Sequence, residues 1–296
     1  MDLSIVIVTW NSANEIGPCL RSVFSCVEGL KGEVFVIDNA SSDGTKNEIT
    51  TVLDSGFYGN DNVAVRTIWN DKNMGFAAAV DQGIAESKGE FVLLLNPDTV
   101  VKPGSLKTMV KYLRAHPDVG IAGGKVLNTD GTIQPSIRRF PSSWDQSVIL
   151  LKMHNFFPKA VANYFCDGFN YDLEQEVDQL RGAYFWISRK LIEKIGNLDA
   201  KNFFNWFEEV DYCFRAHNAG FKVMYVPSSS ATHVGGASFG QAVSLTKQRW
   251  FNRSLRNYFN KHGTVLDVIV VTILSPISIS LAYLVGRFKI KPKKYV

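Results

Sequence analysis

Hydrophobic and polar positions alternate between two patterns over the first hundred residues. Residues 3–9 (LSIVIVT) form a β-branched apolar run, as expected of a strand buried on both faces. Ile16, Leu20, Val23, Phe24 and Val27 then recur at helical spacing, with Asn11 or Ser12 placed to cap the helix. The same alternation predicts strands over residues 33–38, 63–68 and 91–95, and helices from about Thr45 and over 75–86. Three strand–helix units leading into a fourth, wholly apolar strand predict an α/β fold with a mostly parallel central sheet covered by helices on both faces.

Beyond residue 100 the regularity breaks. Pro103 is expected to start a helix ending near His116-Pro117. Residues 119–127, the turn Asn128-Thr129-Asp130-Gly131 and residues 132–137 read as a hairpin. The aromatic-rich stretch 140–180 yields no assignment. A strand at 183–188, helices near Arg189 and Glu208 and a strand at 222–226 follow, which puts His233 in a loop.

The C-terminal segment differs in kind. Residues 268–286 carry no charge, and both flanks are basic. Such a stretch is borderline for crossing a bilayer, Pro276 in its middle should break or kink a helix, and symmetric flanks give no orientation. A helical hairpin dipping into one leaflet, or an interfacial helix pair, fits better; a packed core helix is the alternative. From Lys247 onward there are ten Lys or Arg against one acidic residue, Asp267, which leaves 22 basic and 27 acidic residues before it. The net charge of +4 therefore conceals an acidic body and a basic tail suited to phosphate-bearing partners, anionic lipid or nucleic acid. Hydrophobic residues at 46% and charged residues at 20% exclude disordered and fibrous classes. The four cysteines lack metal-ligand spacing and no secretory signal precedes them, so a reduced, cytoplasmic compartment is expected.

Open parallel sheets bind ligands beyond the carboxyl ends of their strands. That rule nominates the loops at Thr9-Trp10-Asn11, at residues 38–44, at residues 70–76 and at Asn96-Pro97-Asp98. Asp38 is either a turn former or an acceptor for the imide N–H of a pyrimidine base; Asp43 is expected to cap the following helix. Asn73-Met74-Gly75-Phe76 leads a small-residue helix whose N-terminus suits a phosphate. There is no Gly-rich dinucleotide fingerprint and no Lys-containing phosphate loop, which argues against dehydrogenases and ATPases. Asp98 is either a turn residue or a ligand for Mg2+ or Mn2+. In Glu208-Glu209-Val210-Asp211 the carboxylates suit a helix N-terminus, and Asp211 can pair with Arg215. Aromatic neighbours would raise the pKa of Glu209, as a general base needs. His233, beside Gly235-Gly236, is either structural or close to a ligand.

In this order, Val8-Thr9-Trp10-Asn11-Ser12, residues 36–45 (VIDNASSDGT), Asn73-Met74-Gly75-Phe76-Ala77, Leu94-Leu95-Asn96-Pro97-Asp98, Arg181-Gly182-Ala183, Phe207-Glu208-Glu209-Val210-Asp211 and His233-Val234-Gly235-Gly236 resemble the inverting family 2 glycosyltransferases of GT-A fold, within them the bacterial rhamnosyltransferase-like branch. The resemblance runs over residues 3–262. It implies a GT-A catalytic domain over 1–246, with a nucleotide-binding half to about residue 100 and an acceptor-binding half after it, and a membrane-associated segment over 247–296.

It further implies that Asp38, Thr9, Trp10 and Asn11, with Asn73, Gly75 and Phe76, hold the nucleotide. Asp98 and His233 would bind Mg2+ or Mn2+. Glu209 would be the catalytic base, with Glu208 and Asp211 in reserve, and Asn96, Arg181, Gly182, Ala183 and Trp206 would line the donor or acceptor. The family's Asp-x-Asp motif reads Asn96-Pro97-Asp98 here, and its usual Glu-Asp reads Glu208-Glu209. The implied partners are a dTDP- or UDP-linked sugar, with rhamnose first, a glycan or lipid-linked acceptor, and the cytoplasmic face of the plasma membrane; nucleic acid is not expected. The rival readings are a sugar-nucleotide nucleotidyltransferase, which residues 9–17 disfavour for want of a Gly-rich basic triphosphate loop, and a membrane-tethered module that binds without turnover.

Overall fold

The structure, a computed structural model, describes residues 1–27, 29–56, 63–235 and 244–287. The four apolar runs form β1 (Leu3–Thr9), β2 (Gly32–Asp38), β3 (Val63–Trp69) and β4 (Phe91–Leu95), joined through α1 (Ile16–Cys26), α2 (Thr45–Asp54) and α3 (Phe76–Glu86). Then come β5 (Thr99–Val101), α4 (Ser105–Ala115), β6 (Val119–Leu127), β7 (Ile137–Arg138), α5 (Ser143–Leu150), β8 (Gln175–Glu176), β9 (Gln179–Leu180), β10 (Tyr184–Ser188), α6 (Arg189–Ile195), α7 (Glu208–Asn218) and β11 (Lys222–His233). The chain closes on α8 (Ser244–His262) and α9 (Val265–Arg287).

The main sheet runs β3-β2-β1-β4-β10-β6-β11-β5, with β8 pairing β11. The first four strands are mutually parallel, and β10 enters antiparallel to both β4 and β6. Side chains alternate across a strand, so β1 splits its apolar residues between the two faces. Ile5 and Ile7 pack with α1, α2 and α4, whereas Val6 and Val8 pack with α3, α6 and α7. Helices cover both faces, as the continuous apolar runs require.

Several sequence expectations need correction. The hairpin over 119–137 reduces to one bridge, Leu127 to Ile133, because β6 finds its partners in β10 and β11 and Ile137 pairs instead with Leu180. Neither Asn11 nor Ser12 caps α1, which starts at Ile16 with its first turn bonded to the Ser12 carbonyl; the Asn11 side chain accepts from Ser42 N–H in the neighbouring loop, and Ser12 Oγ donates to the Trp10 carbonyl. The Asp43-Gly44 pair does start α2 as expected: Gly44 holds the cap position, and Asp43 accepts from Thr45 N–H while also accepting from Ala13, which ties two loops together. The strand expected to end at 226 continues through a bulge to His233, which is therefore on β11 and not in a loop.

Pro276 does not break α9, which runs unbroken for 23 residues. The proline is exposed, so its ring displaces no packed neighbour, and the Ser275 and Ser280 hydroxyls bond the carbonyls of Val271 and Pro276 on either side of it. The stretch Val265–Leu284 is long and apolar enough to cross a membrane, with mean hydropathy 2.2. α9 nonetheless folds back antiparallel on α8, where Asn252 Nδ2 donates to the Ser275 carbonyl at 3.1 Å. All four cysteines are free.

Candidate active site

The carboxyl ends of β1 and β2 are laced together by their loops. Asn11 N–H donates to Ser41 Oγ at 2.9 Å, Ser42 N–H to Asn11 Oδ1 at 2.7 Å, and Ser12 N–H to Thr45 Oγ1 at 2.8 Å. Asn11 and Ala40 adopt left-handed backbone, with φ of 51° and 63°. Within this cradle Thr9 and Asp38 are opposite partners across the parallel pair, and both are fully buried. Asp38 Oδ2 accepts from Ser41 N–H at 3.1 Å and lies 3.9 Å from Lys46 Nζ. Its Oδ1 and the Thr9 hydroxyl are sealed from water and have no partner. A buried carboxylate oxygen without a donor is costly, and a base imide N–H would satisfy it.

The third loop is fixed by an amide network. Asn39 donates to Asn73 Oδ1 and the Gly75 carbonyl and accepts from Asn70 and Met74, while Asn70 and Gln82 exchange two hydrogen bonds. Asn73 is thus occupied in shaping its own loop. Gly75 has φ +87°, and a Cβ there would lie 2.5 Å from the Phe204 carbonyl, which accepts from Phe76 N–H. Glycine is required by both conformation and crowding. Asn39 stands inside a motif legible in the sequence and Asn70 opens a nominated loop, but nothing marked Gln82.

Beyond β4, Thr99 N–H bonds the Asn96 carbonyl at 3.1 Å, closing a tight turn in which Pro97 presets the backbone. That turn aims Asp98 at the end of β11. His233 Nε2 is 3.1 Å from Asp98 Oδ1, and each residue is 7% exposed. Gln134 orders the pair. Its Nε2 donates to Asn128 Oδ1 and the His233 carbonyl, which leaves its Oε1 to accept from His233 Nδ1 at 2.7 Å. With Nδ1 engaged by Gln134, Nε2 faces a carboxylate oxygen at a spacing that a proton on that nitrogen, or a metal cation held by both, would satisfy.

The donor set fits a divalent metal: one carboxylate and one imidazole, with its far nitrogen anchored. Among the described residues no group of three or more His, Cys, Asp or Glu could hold an ion. The remaining positions suit phosphate oxygens and water, as is usual for metals that bridge to a nucleotide. Gln134 carried no signal in the sequence.

The segment Arg181-Gly182-Ala183 links this corner to α7. The Ala183 carbonyl accepts from Asn96 N–H and from Thr99 Oγ1. A Cβ built on Gly182 meets nothing within 4 Å. Space beside that glycine is open, as a bound molecule would require. On the other side, Arg181 and Arg138 direct their charge at Glu209.

The α7 carboxylates have three different environments. Trp206 and Phe207, with φ of 66° and 68°, hold strained left-handed backbone just before the helix. Glu208 and Glu209 each keep an unpartnered, buried Oε2. Burial raises the Glu208 pKa well above the usual range, and the Glu209 charge adds to it. Burial raises Glu209 too, opposed by Arg181 and Arg138. Glu209 retains partial exposure, whereas Glu208 is buried. Asp211 is opposed by burial but held below the usual range by His262, Lys261 and Arg215, at 2.7, 2.7 and 2.8 Å. That saturation removes Asp211 from the reserve of bases; it pins α8 to α7. Trp206 packs edge-on against Phe251 of α8, 6.1 Å between centroids. A cavity of about 370 Å³ opens beside Arg138, lined also by Arg139, Asp167 and Asp178, and contains none of the nominated residues.

The family model described as Glycosyl transferase family 2 matches residues 4–195, which run from β1 through α6 and include Asp38 and Asp98. The chain belongs to glycosyl transferase family 2. It is 27% identical over 258 residues to N-acetylglucosaminyl-diphospho-decaprenol L-rhamnosyltransferase of Mycobacterium tuberculosis, covering 81% of this chain and 78% of that one. It spans only 26% of a longer Sinorhizobium fredii protein, 25% identical to it.

Among solved structures, a mannosyltransferase from Pyrobaculum calidifontis with GDP-Man and Mn2+ superposes with TM-score 0.58 at 14% identity, covering 99% of this chain and 76% of that one.

 Staphylococcus aureus TarS 1–349 in complex with UDP superposes with TM-score 0.55 at 14% identity, covering 97% of this chain and 73% of that one. These likenesses establish the fold, a mixed α/β GT-A architecture.

Proposed function

We propose that this family 2 glycosyltransferase is a metal-dependent, inverting enzyme. It transfers a sugar, rhamnose as first choice, from a dTDP- or UDP-linked donor to a hydroxyl of a lipid-linked glycan. The observation that carries the reading is the Asp98–His233 pair, 3.1 Å apart at the carboxyl edge of the sheet and oriented by Gln134. The mycobacterial relative, named for rhamnosyl transfer to a diphospho-decaprenol acceptor, supports the choice of sugar and acceptor. The Mn2+ and UDP found with the two structural neighbours support the metal and the donor class.

In this reading the unpartnered Oδ1 of Asp38 accepts the imide N–H of the base. Asp98 and His233 would hold Mg2+ or Mn2+ beside the donor diphosphate, where the cation would supply charge neutralisation for the departing nucleoside diphosphate. Glu209 removes the acceptor proton as the hydroxyl oxygen attacks the anomeric carbon. Arg181 and Arg138 oppose the rise that burial imposes on its pKa. The bond to the diphosphate breaks on the opposite side, so one displacement inverts the centre. Residues 1–246 serve as the catalytic domain, about 1–100 binding nucleotide and 101–246 the acceptor, and 247–296 hold the protein at the cytoplasmic face of the plasma membrane.

The test is a panel of nucleotide sugars assayed for Mn2+-dependent release of nucleoside diphosphate, with thermal shift as a parallel binding readout. Release from one donor, abolished by chelation, is the expected result. Protection against unfolding without any release would leave a binding module instead.

A further inference from the structure

The C-terminal helices do not stand apart from the body. Buried Val271 of α9 shares a cluster with Leu150 of α5 and with Leu255, Tyr258 and Phe259 of α8. Ser143, at the start of α5, hydrogen-bonds Asp267 near the start of α9. At the other end of this segment Lys152 Nζ donates to Gln248 Oε1 of α8 at 2.8 Å. Residues 143–157 therefore run alongside the helix pair from one end to the other.

The outward surface of this assembly is sorted by polarity. On α9, Val265, Leu266, Ile269, Ile273, Ile277 and Leu284 are exposed, and no charged residue lies between Asp267 and Arg287. The adjoining body segment adds Trp144, Phe156 and Phe157, exposed by 67%, 78% and 59%. On α8, Arg249, Arg253 and Arg256 recur at helical spacing on the exposed side. They form no ion pair among the described residues, and α8 carries no acidic residue. Asp145 and Asp267 are engaged in helix caps, with Ser142 and Thr264. An apolar stripe rimmed by aromatics and flanked by unpaired arginines complements a leaflet of acyl chains under anionic headgroups.

We propose that this composite face docks the protein on an anionic phospholipid leaflet, with α9 lying in the membrane plane and not across it. The proposal rests on the reading that the enzyme works at a membrane, and adds the body residues Trp144, Phe156 and Phe157 and the arginine row as its contacts. An in-plane helix follows from the packing. A crossing α9 would carry its bonded partner α8, with Arg249, Arg253 and Arg256, into hydrocarbon, where arginine is costly. Lying flat, α9 buries its apolar side while the arginines reach headgroup phosphates.

The experiment uses the full chain with vesicles of phosphatidylcholine alone or with phosphatidylglycerol added. Binding is read by co-sedimentation, and donor hydrolysis is followed in parallel. The wild type should prefer the anionic vesicles. A W144S/F156S/F157S variant should bind both kinds at least tenfold more weakly, by the scale of apolar burial. An R249Q/R253Q/R256Q variant should lose about a hundredfold on anionic vesicles only, as expected for three basic residues near a charged surface. Both variants should keep donor hydrolysis and the wild-type melting temperature.

Equal binding by all three proteins would overturn the face. So would labels at Thr264 and Tyr283 quenched from opposite sides of sealed vesicles, since that places α9 across the bilayer. A vesicle-indifferent dimer that the aromatic variant dissociates would assign the face to a second copy. Absent hydrolysis in the wild type would sink the transferase reading while leaving the vesicle result to stand or fall separately.

Discussion

Gln134 Oε1 and His233 Nδ1 are 2.7 Å apart, and this bond turns the opposite ring nitrogen toward Asp98. Gln134 touches neither proposed substrate, so it is a positioning residue. Gln134→Ala frees the ring to rotate and should raise the dissociation constant for Mn2+ by about ten- to a hundredfold, the range for partners that orient a metal-bound histidine. Mn2+ titration in the presence of nucleoside diphosphate measures it. Unchanged affinity would assign Gln134 a merely structural role.

Asp98→Asn and Glu209→Gln should each lower transfer by about a hundredfold or more, from lost electrostatic and general-base contributions. Glu208→Gln is the internal comparison. Its carboxyl is buried, and burial together with the Glu209 charge disfavours its ionised form, so the amide should retain most activity. Wild-type turnover in Glu209→Gln would remove that residue from the reaction.

The pH dependence follows from Glu209. Burial raises its pKa above the ordinary 4.5, and a base must be ionised to act. Activity should therefore rise with pH through that raised value, and the acidic limb should lie above pH 4.5. Arg181 lowers the value, so Arg181→Gln should move the limb to higher pH. A limb that stays in place when Arg181 is changed would mean that another group controls it.

Asp38→Ala should raise the donor KM with little change in kcat, because a contact to the base is the same in ground and transition states. The loss of a charged hydrogen bond predicts about ten- to a hundredfold. Steady-state kinetics against donor concentration would read it, and a pure kcat effect would contradict a base-binding role.

Asp211→Asn should destabilise the protein by about 3 kcal/mol at neutral pH, since it leaves Arg215, Lys261 and the His262 ring around a neutral amide. The Asp211 pKa is depressed in the fold, so its contribution is complete above the unfolded value and disappears as pH falls through the folded one. Urea unfolding at neutral and acid pH should show the gap between variant and wild type closing at acid pH.

The parallel core was legible because burial leaves a local imprint. Apolar runs on β1 to β4 and helical spacing on α1 and α3 encode which residues face inward, and the loops at strand ends follow from that order. Asp38, Asp98 and Glu209 could be nominated because each sits in a short motif. Tertiary structure alone decided the rest. Gln134 meets His233 across 99 residues, Asp211 finds His262 across 51, and Ile137 pairs with Leu180 in place of a hairpin partner. The Pro276 helix survives because its proline faces outward. Periodicity reports how one element meets the core, whereas polar pairing depends on which elements the sheet order sets side by side, and no local pattern carries that order.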